Sequence, residues 1–320
     1  MKKTITLIIL LLITAVLFGE LASRYLLGFG DPPLSVAHPK IEYLFKASSN
    51  FKRFGNHFKT NAYSMRSDVF PKTRQSNELR LLILGDSVPN GESHTDQSEL
   101  ATEILKEKLA EKVPSPVHIG NISAGSWSPP NLLAYVQEFG TFDADIAIII
   151  LNKGDLFDFP TFDALNPKIH PTKKPSSALG EILVRYILPK ITRTYSDRTN
   201  NVPTKKRASR DCTQELLELV HTFSNKQIPV WIVYHPCKDE FLNDGSFVPK
   251  AAYSILENFT NRHDLQLHSF ADIYRQYIPK KIRIYRDNFH PNEMGQKLMA
   301  DHILKILEKN GFMLQWSLRD

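Results

Sequence analysis

Leu81-Leu82-Ile83-Leu84 runs straight into Gly85-Asp86-Ser87. Four consecutive apolar residues closed by a turn former read as a strand buried on both faces, the pattern of a parallel sheet. It recurs downstream. Val117-His118-Ile119-Gly120-Asn121-Ile122 is strand-like, and residues 145–151, with Ile146-Ala147-Ile148-Ile149-Ile150, give the strongest strand signal in the chain. Val230-Trp231-Ile232-Val233-Tyr234 and residues 265–270 add two more. Between the strands, residues 100–109, 131–139, 212–223, 251–262 and 293–307 carry apolar side chains at helical spacing. Strands alternating with amphipathic helices predict an α/β fold, a three-layer α/β/α, flavodoxin-like domain around a five-stranded parallel sheet.

Ahead of this domain the chain is different. Met1-Lys2-Lys3 precedes an apolar run from Ile5 to Phe18, closed by Glu20. A basic start and a short apolar stretch predict an uncleaved membrane anchor over residues 1–24, because no good small-residue cleavage site follows. A cleaved signal is the alternative. Lys2 and Lys3 would stay in the cytoplasm, which puts the body of the chain on the extracytoplasmic side. Residues 25–78 show little periodicity and predict an extended linking segment, with a hairpin around Phe51 to Asn56; the domain itself is expected over 79–312.

The chain has 320 residues, 42% of them apolar, and a net charge of +6. This excludes disordered, collagen-like and coiled-coil classes. The charge is concentrated. An irregular insertion at about 157–210 holds, from 171 onward, ten basic residues against Glu181 and Asp197, so the rest of the chain sums to −2. Within it, residues 179–195 have helical spacing, with Pro189 expected to kink or end the helix. No nucleic-acid motif accompanies this charge; contact with anionic lipid or polysaccharide is the partner it suggests. Two cysteines cannot build a disulfide scaffold or a four-cysteine zinc site. Cys212 at a helix start and Cys237 past the next strand leave two readings open, a disulfide or two buried thiols.

Active sites of open parallel sheets lie at the carboxyl ends of the strands. There the sequence places Ser87, then Ser123-Ala124-Gly125-Ser126, then Asn152-Lys153-Gly154-Asp155. Asp287-Asn288-Phe289-His290-Pro291 stands before the last helix, with Pro291 expected in its first turn. A serine needs a base, and an imidazole needs a carboxylate to orient it, so Ser87, His290 and Asp287 have the types required for nucleophilic acyl transfer. The combination is more specific than either short motif. No metal-ligand spacing or phosphate-binding loop appears, and no cofactor is expected.

Gly85-Asp86-Ser87 early in the domain and Asp287-x-x-His290 late in it resemble the SGNH/GDSL hydrolase superfamily, and the resemblance covers residues 81–307. Arg24-Tyr25-Leu26-Leu27-Gly28 followed by Pro32-Pro33 is similar to membrane-anchored bacterial members. The resemblance implies Ser87 as nucleophile, Asp287 and His290 as its partners, and Gly125 with the serine amide as oxyanion donors. The third block departs from the family's Gly-x-Asn-Asp: Gly154 stands where asparagine belongs, leaving Asn152 or the Gly154 N–H as the third donor. The implied activity is an exported serine esterase acting on an acylated carbohydrate or lipid-like ester. The alternatives are an O-acetyltransferase acting on a cell-surface polysaccharide, and a non-catalytic binding module.

Overall fold

A computed structural model describes residues 2–75, 77–191 and 210–317. The basic residues Arg193, Arg198, Lys205, Lys206 and Arg207, and the end of the helix expected at 179–195, lie outside these.

Five parallel strands form the central sheet: β5 (Leu79–Gly85), β6 (Val117–Ser123), β7 (Ile146–Leu151), β8 (Val230–Tyr234) and β9 (Gln266–Ser269), in the order β6-β5-β7-β8-β9. Every residue of β5 and β7 is buried. Alternation sends them to two cores. Leu82, Leu84, Ala147 and Ile149 face one layer, with α4 (Pro129–Phe139), α6 (Thr213–Ser224) and α7 (Ala251–Arg262). Leu81, Ile83, Ile146 and Ile148 face the other, with α3 (Ala101–Ala110) and α9 (Glu293–Lys309). This is the expected three-layer α/β/α fold. The strand order reverses between β5 and β7, which opens a crevice where a ligand is commonly bound.

The linking segment is not extended. It folds as two antiparallel hairpins, β1 (Ser35–His38) with β2 (Glu42–Phe45), and β3 (Ser49–Arg53) with β4 (Asn56–Thr60). In the second, Phe54 and Gly55 both take positive φ (53° and 85°), as a two-residue hairpin turn requires. Ile41, Tyr43 and Met65 are buried in the core on the α4 side. Asn131 and Tyr135 of α4 donate to Ile41 and Tyr63 carbonyls (2.8 and 2.6 Å).

Arg66 has the most demanding role in this segment. Its buried guanidinium donates to the carbonyls of Asn90, Glu92 and Thr95 and packs over Phe58, 4.2 Å from the ring centre. Burial pulls its pKa down to about 9, with Asp96, Glu92 and Glu103 opposing the fall. An Arg66→Met substitution keeps the stem but strands three carbonyls, each unsatisfied buried group costing about 1–3 kcal/mol. The unfolding free energy is expected to fall by about 3 kcal/mol or more, read as a lower denaturant midpoint.

The N-terminal helix α1 (Lys2–Leu27) has no buried residue and a mean hydropathy of 2.6 over its most apolar window. At 1.5 Å per residue it is about 39 Å long, enough to cross a bilayer; a signal sequence would meet the same description. Cys212 and Cys237 are buried free thiols, so the bridge that their positions left open is not formed. The Cys212 thiol donates instead to the Asp155 carbonyl (3.3 Å). The helix in the insertion runs over 178–191 and passes through Pro189. Residues Ile182–Ile187 open into a π-turn, in which the Leu188 N–H reaches back to Leu183. The wider turn accommodates a proline that has no N–H to offer and whose ring would clash in a regular helix.

Candidate active site

Gly85 ends β5 where no side chain fits: a Cβ there would lie 2.7 Å from Pro89 Cγ and 2.9 Å from the Ile150 carbonyl. The chain therefore turns at once into a one-turn helix, α2 (Ser87–Asn90), with Ser87 as its first residue. Asp86 caps that turn by accepting the Val88 N–H (2.8 Å). Gln296 of α9 clamps it from behind, donating to the Val88 carbonyl (2.9 Å) while accepting the Ala101 N–H (2.9 Å).

Ser87 Oγ lies 2.9 Å from His290 Nε2, and His290 Nδ1 lies 2.7 Å from Asp287 Oδ2. The other Asp287 oxygen accepts the N–H groups of Phe289 and His290 (both 2.8 Å). Burial raises the Asp287 pKa, but the His290 N–H and imidazole and the Phe289 N–H outweigh it and bring it down to about 2. The carboxylate is thus charged at working pH and fixed against the imidazole. Pro291 is not in the helix, as its sequence position suggested. It bridges to Tyr285, and Asn292, whose side chain accepts the Gly295 N–H (3.0 Å), takes over the capping role. The buried His235 supports this loop by donating from Nε2 to the Phe289 carbonyl (2.9 Å), a role that nothing in its sequence context signals.

The other predicted residues come to the same place. Ser87, Gly125, Asn152, Gly154 and His290 all line one cavity of about 980 Å³. Neither the Ser87 N–H nor the Gly125 N–H donates to another group among the described residues. The Gly125 carbonyl accepts from Tyr43 OH (2.7 Å), so the first hairpin steadies this loop. Asn152 donates one amide hydrogen to Asp86 Oδ2 (2.8 Å), and its Oδ1 accepts the Gly154 N–H (2.7 Å). The Gly154 amide is therefore engaged in holding Asn152. An Asn side chain has two N–H groups, which leaves Asn152 a second one for the cavity.

Asp86 and Asp155 lie buried behind Ser87. Burial pushes Asp86 up to about 6 despite the Val88 N–H, and pushes Asp155 well above the usual carboxylate range, with the Asp86 charge adding to the effect. Asp155 accepts the Asn152 N–H (2.7 Å). Glu92 stands beside the imidazole, 4.0 Å from His290 Nε2, and pairs with Arg286 (3.0 Å).

No family model matches the sequence, and no curated protein matches it. Neighbours among solved structures include esterases and members of a lipolytic G-D-S-L family. One is a two-domain esterase active on acetylated mannans, at 16% identity and a TM-score of 0.45 over 72% of this chain and 49% of that one. The chain thus spans about half the length of that esterase. Another is a member of the lipolytic G-D-S-L family from Veillonella parvula, at 12% identity and a TM-score of 0.41 over 72% and 98%. A psychrotrophic esterase from Pseudoalteromonas sp. aligns at 16% identity and a TM-score of 0.40 over 72% and 97%. At these identities the likeness concerns the fold alone.

Proposed function

We propose that the chain is a serine hydrolase of carboxylic O-acyl esters, held at the membrane by α1 with its body on the extracytoplasmic side. The observation that carries this is the hydrogen-bonded line Ser87–His290–Asp287 beside two amides that have no partner among the described residues. Ser87 Oγ attacks the acyl carbon while His290 Nε2 takes the hydroxyl proton. The carbonyl oxygen becomes an oxyanion facing the N–H groups of Ser87 and Gly125 and the second N–H of Asn152. Collapse breaks the bond to the leaving alcohol, which receives the proton from His290. Water, activated by the same imidazole, then cleaves the acyl-enzyme and returns Ser87 to its starting state.

The test is covalent. A fluorophosphonate should add once to the protein at Ser87, and a chromogenic short-chain ester should be turned over until it does. Labelling elsewhere, or no turnover, would overturn the reading. A sugar hydroxyl in place of water would make the same acyl-enzyme an O-acetyltransferase. The size of the cavity favours room for such an acceptor, and acylated oligosaccharide is its readout.

Asn152 has its own test. Asn152→Ala removes a donor and leaves the buried Asp86 carboxylate without its 2.8 Å partner. Loss of one oxyanion donor costs about 10²–10³ in rate. The fall should appear in kcat with KM little changed; an undiminished kcat would remove Asn152 from the site.

A further inference from the structure

The lower end of α1 is built into the body of the protein. Glu20 accepts the N–H groups of Ala178 (2.8 Å) and Leu179 (2.9 Å) and the Ser177 hydroxyl (3.0 Å), so it caps the helix at 178–191. Arg24 binds Glu20 (2.7 Å) and the Ser176 carbonyl (2.9 Å). At the last residue of α1, the Leu27 carbonyl accepts the Phe54 N–H (2.7 Å). Gly28, at φ 72°, passes so close to the second hairpin that a Cβ would lie 1.7 Å from the Lys52 carbonyl oxygen. Arg53 then joins both parts. Its buried guanidinium pairs with Glu181 (2.6 Å), donates to Tyr186 OH (2.7 Å) and to the Gly28 carbonyl (3.1 Å). Arg53, Arg185 and Tyr186 line the same cavity as Ser87. The orientation of α1 relative to the cavity is therefore set by a hydrogen-bonded network, part-buried at Glu20 and buried at Arg53, and not by a loose tether.

The helix at 178–191 also leaves apolar side chains in the open. Leu183, Val184, Ile187 and Ile191 are 46%, 52%, 43% and 63% exposed. Exposed apolar stretches of this kind mark contact surfaces. This one adjoins α1, where Leu179 packs beside Gly19, and α1 itself has no buried residue. A face continuous with a bilayer-length apolar helix has an evident occupant, the interfacial layer of the same bilayer. The exposed Lys173, Lys174 and Lys190, before and on this helix, suit anionic headgroups.

We infer that the helix at 178–191 lies in the membrane interface beside α1, that the cavity opens at the membrane surface, and that the ester it takes is carried by a membrane-resident amphiphile. The last clause rests on the esterase reading above and on retention of α1.

The test uses the full chain in vesicles of phosphatidylcholine and phosphatidylglycerol. Ile187→Cys and, as a control, Lys297→Cys on exposed α9 surface are labelled with a polarity-sensitive fluorophore; the native thiols are buried. Spin-labelled lipid should quench position 187, and aqueous iodide should quench position 297. Equal iodide quenching at both positions would overturn the seating. A Leu183→Asp/Ile187→Asp double variant should lose about tenfold in turnover of a long-chain ester embedded in the vesicles, with hydrolysis of a water-soluble short-chain ester unchanged. Unchanged turnover of both substrates would overturn the amphiphile assignment. Failure of wild type on the soluble ester would instead count against the esterase reading, and the quenching experiment would still decide the seating.

Discussion

Ser87→Ala is expected to lower turnover of a short-chain ester by about 10⁵–10⁶-fold. In the proposed mechanism this side chain supplies the attacking oxygen, and its polar neighbours are engaged otherwise: Asp86 is bound to Val88 and Asn152, and His290 faces Ser87 with its basic nitrogen. The amides of Ser87 and Gly125 would survive and would still bind a substrate carbonyl. Residual rate and substrate affinity should therefore separate, with kcat falling steeply and substrate binding retained. The variant should fold, because the serine hydroxyl contributes only its bonds to Asp86 and His290. Circular dichroism and the unfolding midpoint check this. A well-folded variant with a rate within about tenfold of wild type would end the nucleophile assignment.

The second large effect is expected at Asp287. Asp287→Asn preserves size and the ability of one oxygen to accept the Phe289 and His290 N–H groups. It puts an amide where His290 Nδ1 now meets a carboxylate at 2.7 Å. An amide N–H pointing at Nδ1 demands the tautomer that protonates Nε2, and that nitrogen can then no longer accept the serine proton. Disruption of this kind costs about 10⁴-fold in kcat. Stability should respond with a definite sign. The folded carboxyl titrates at about 2, below its unfolded value of about 3.9. Its contribution is present above the unfolded value and is lost as pH falls through the folded one. Wild type and Asp287→Asn should therefore differ in unfolding midpoint at pH 6 and converge toward pH 2. A difference that persisted at pH 2 would show that Asp287 acts through something other than its charge.

Much of this site was legible in the sequence because a parallel sheet concentrates chemistry at strand ends. Runs such as Ile146 to Ile150 are too apolar for any exposed position, so the strands and the turns that follow them could be found together. Ser87, Gly125 and Asn152 follow from that placement, and the spacing of Asp287 and His290 is local. What escaped was long-range. Glu20 reads as the end of an apolar run, yet it caps residues 177–179, and a partner so distant leaves no periodic trace. Arg53 with Glu181, His235 with Phe289, and Gln296 with Val88 are of the same kind. The first hairpin escaped for another reason: four-residue strands are too short for alternation to show. At the third strand end, Asn152 sits two residues before the glycine that the resemblance put in the donor's place.

The two hairpins before the sheet bear on where this protein can be cut. The segment they belong to is bonded to the body by the Arg66 N–H on the Asn121 carbonyl, by Tyr43 OH on the Gly125 carbonyl, and by the Asn131 and Tyr135 side chains on the Ile41 and Tyr63 carbonyls, and it buries Ile41, Tyr43 and Met65 in the core. A chain begun at Leu79 would keep every strand of the sheet and the line from Ser87 to Asp287. It would also bare one side of the core, unseat the Gly125 loop and release the Arg66 clamp on the turn after Ser87. The start of the regular pattern in the sequence is thus a boundary of repetition and not of cooperative folding.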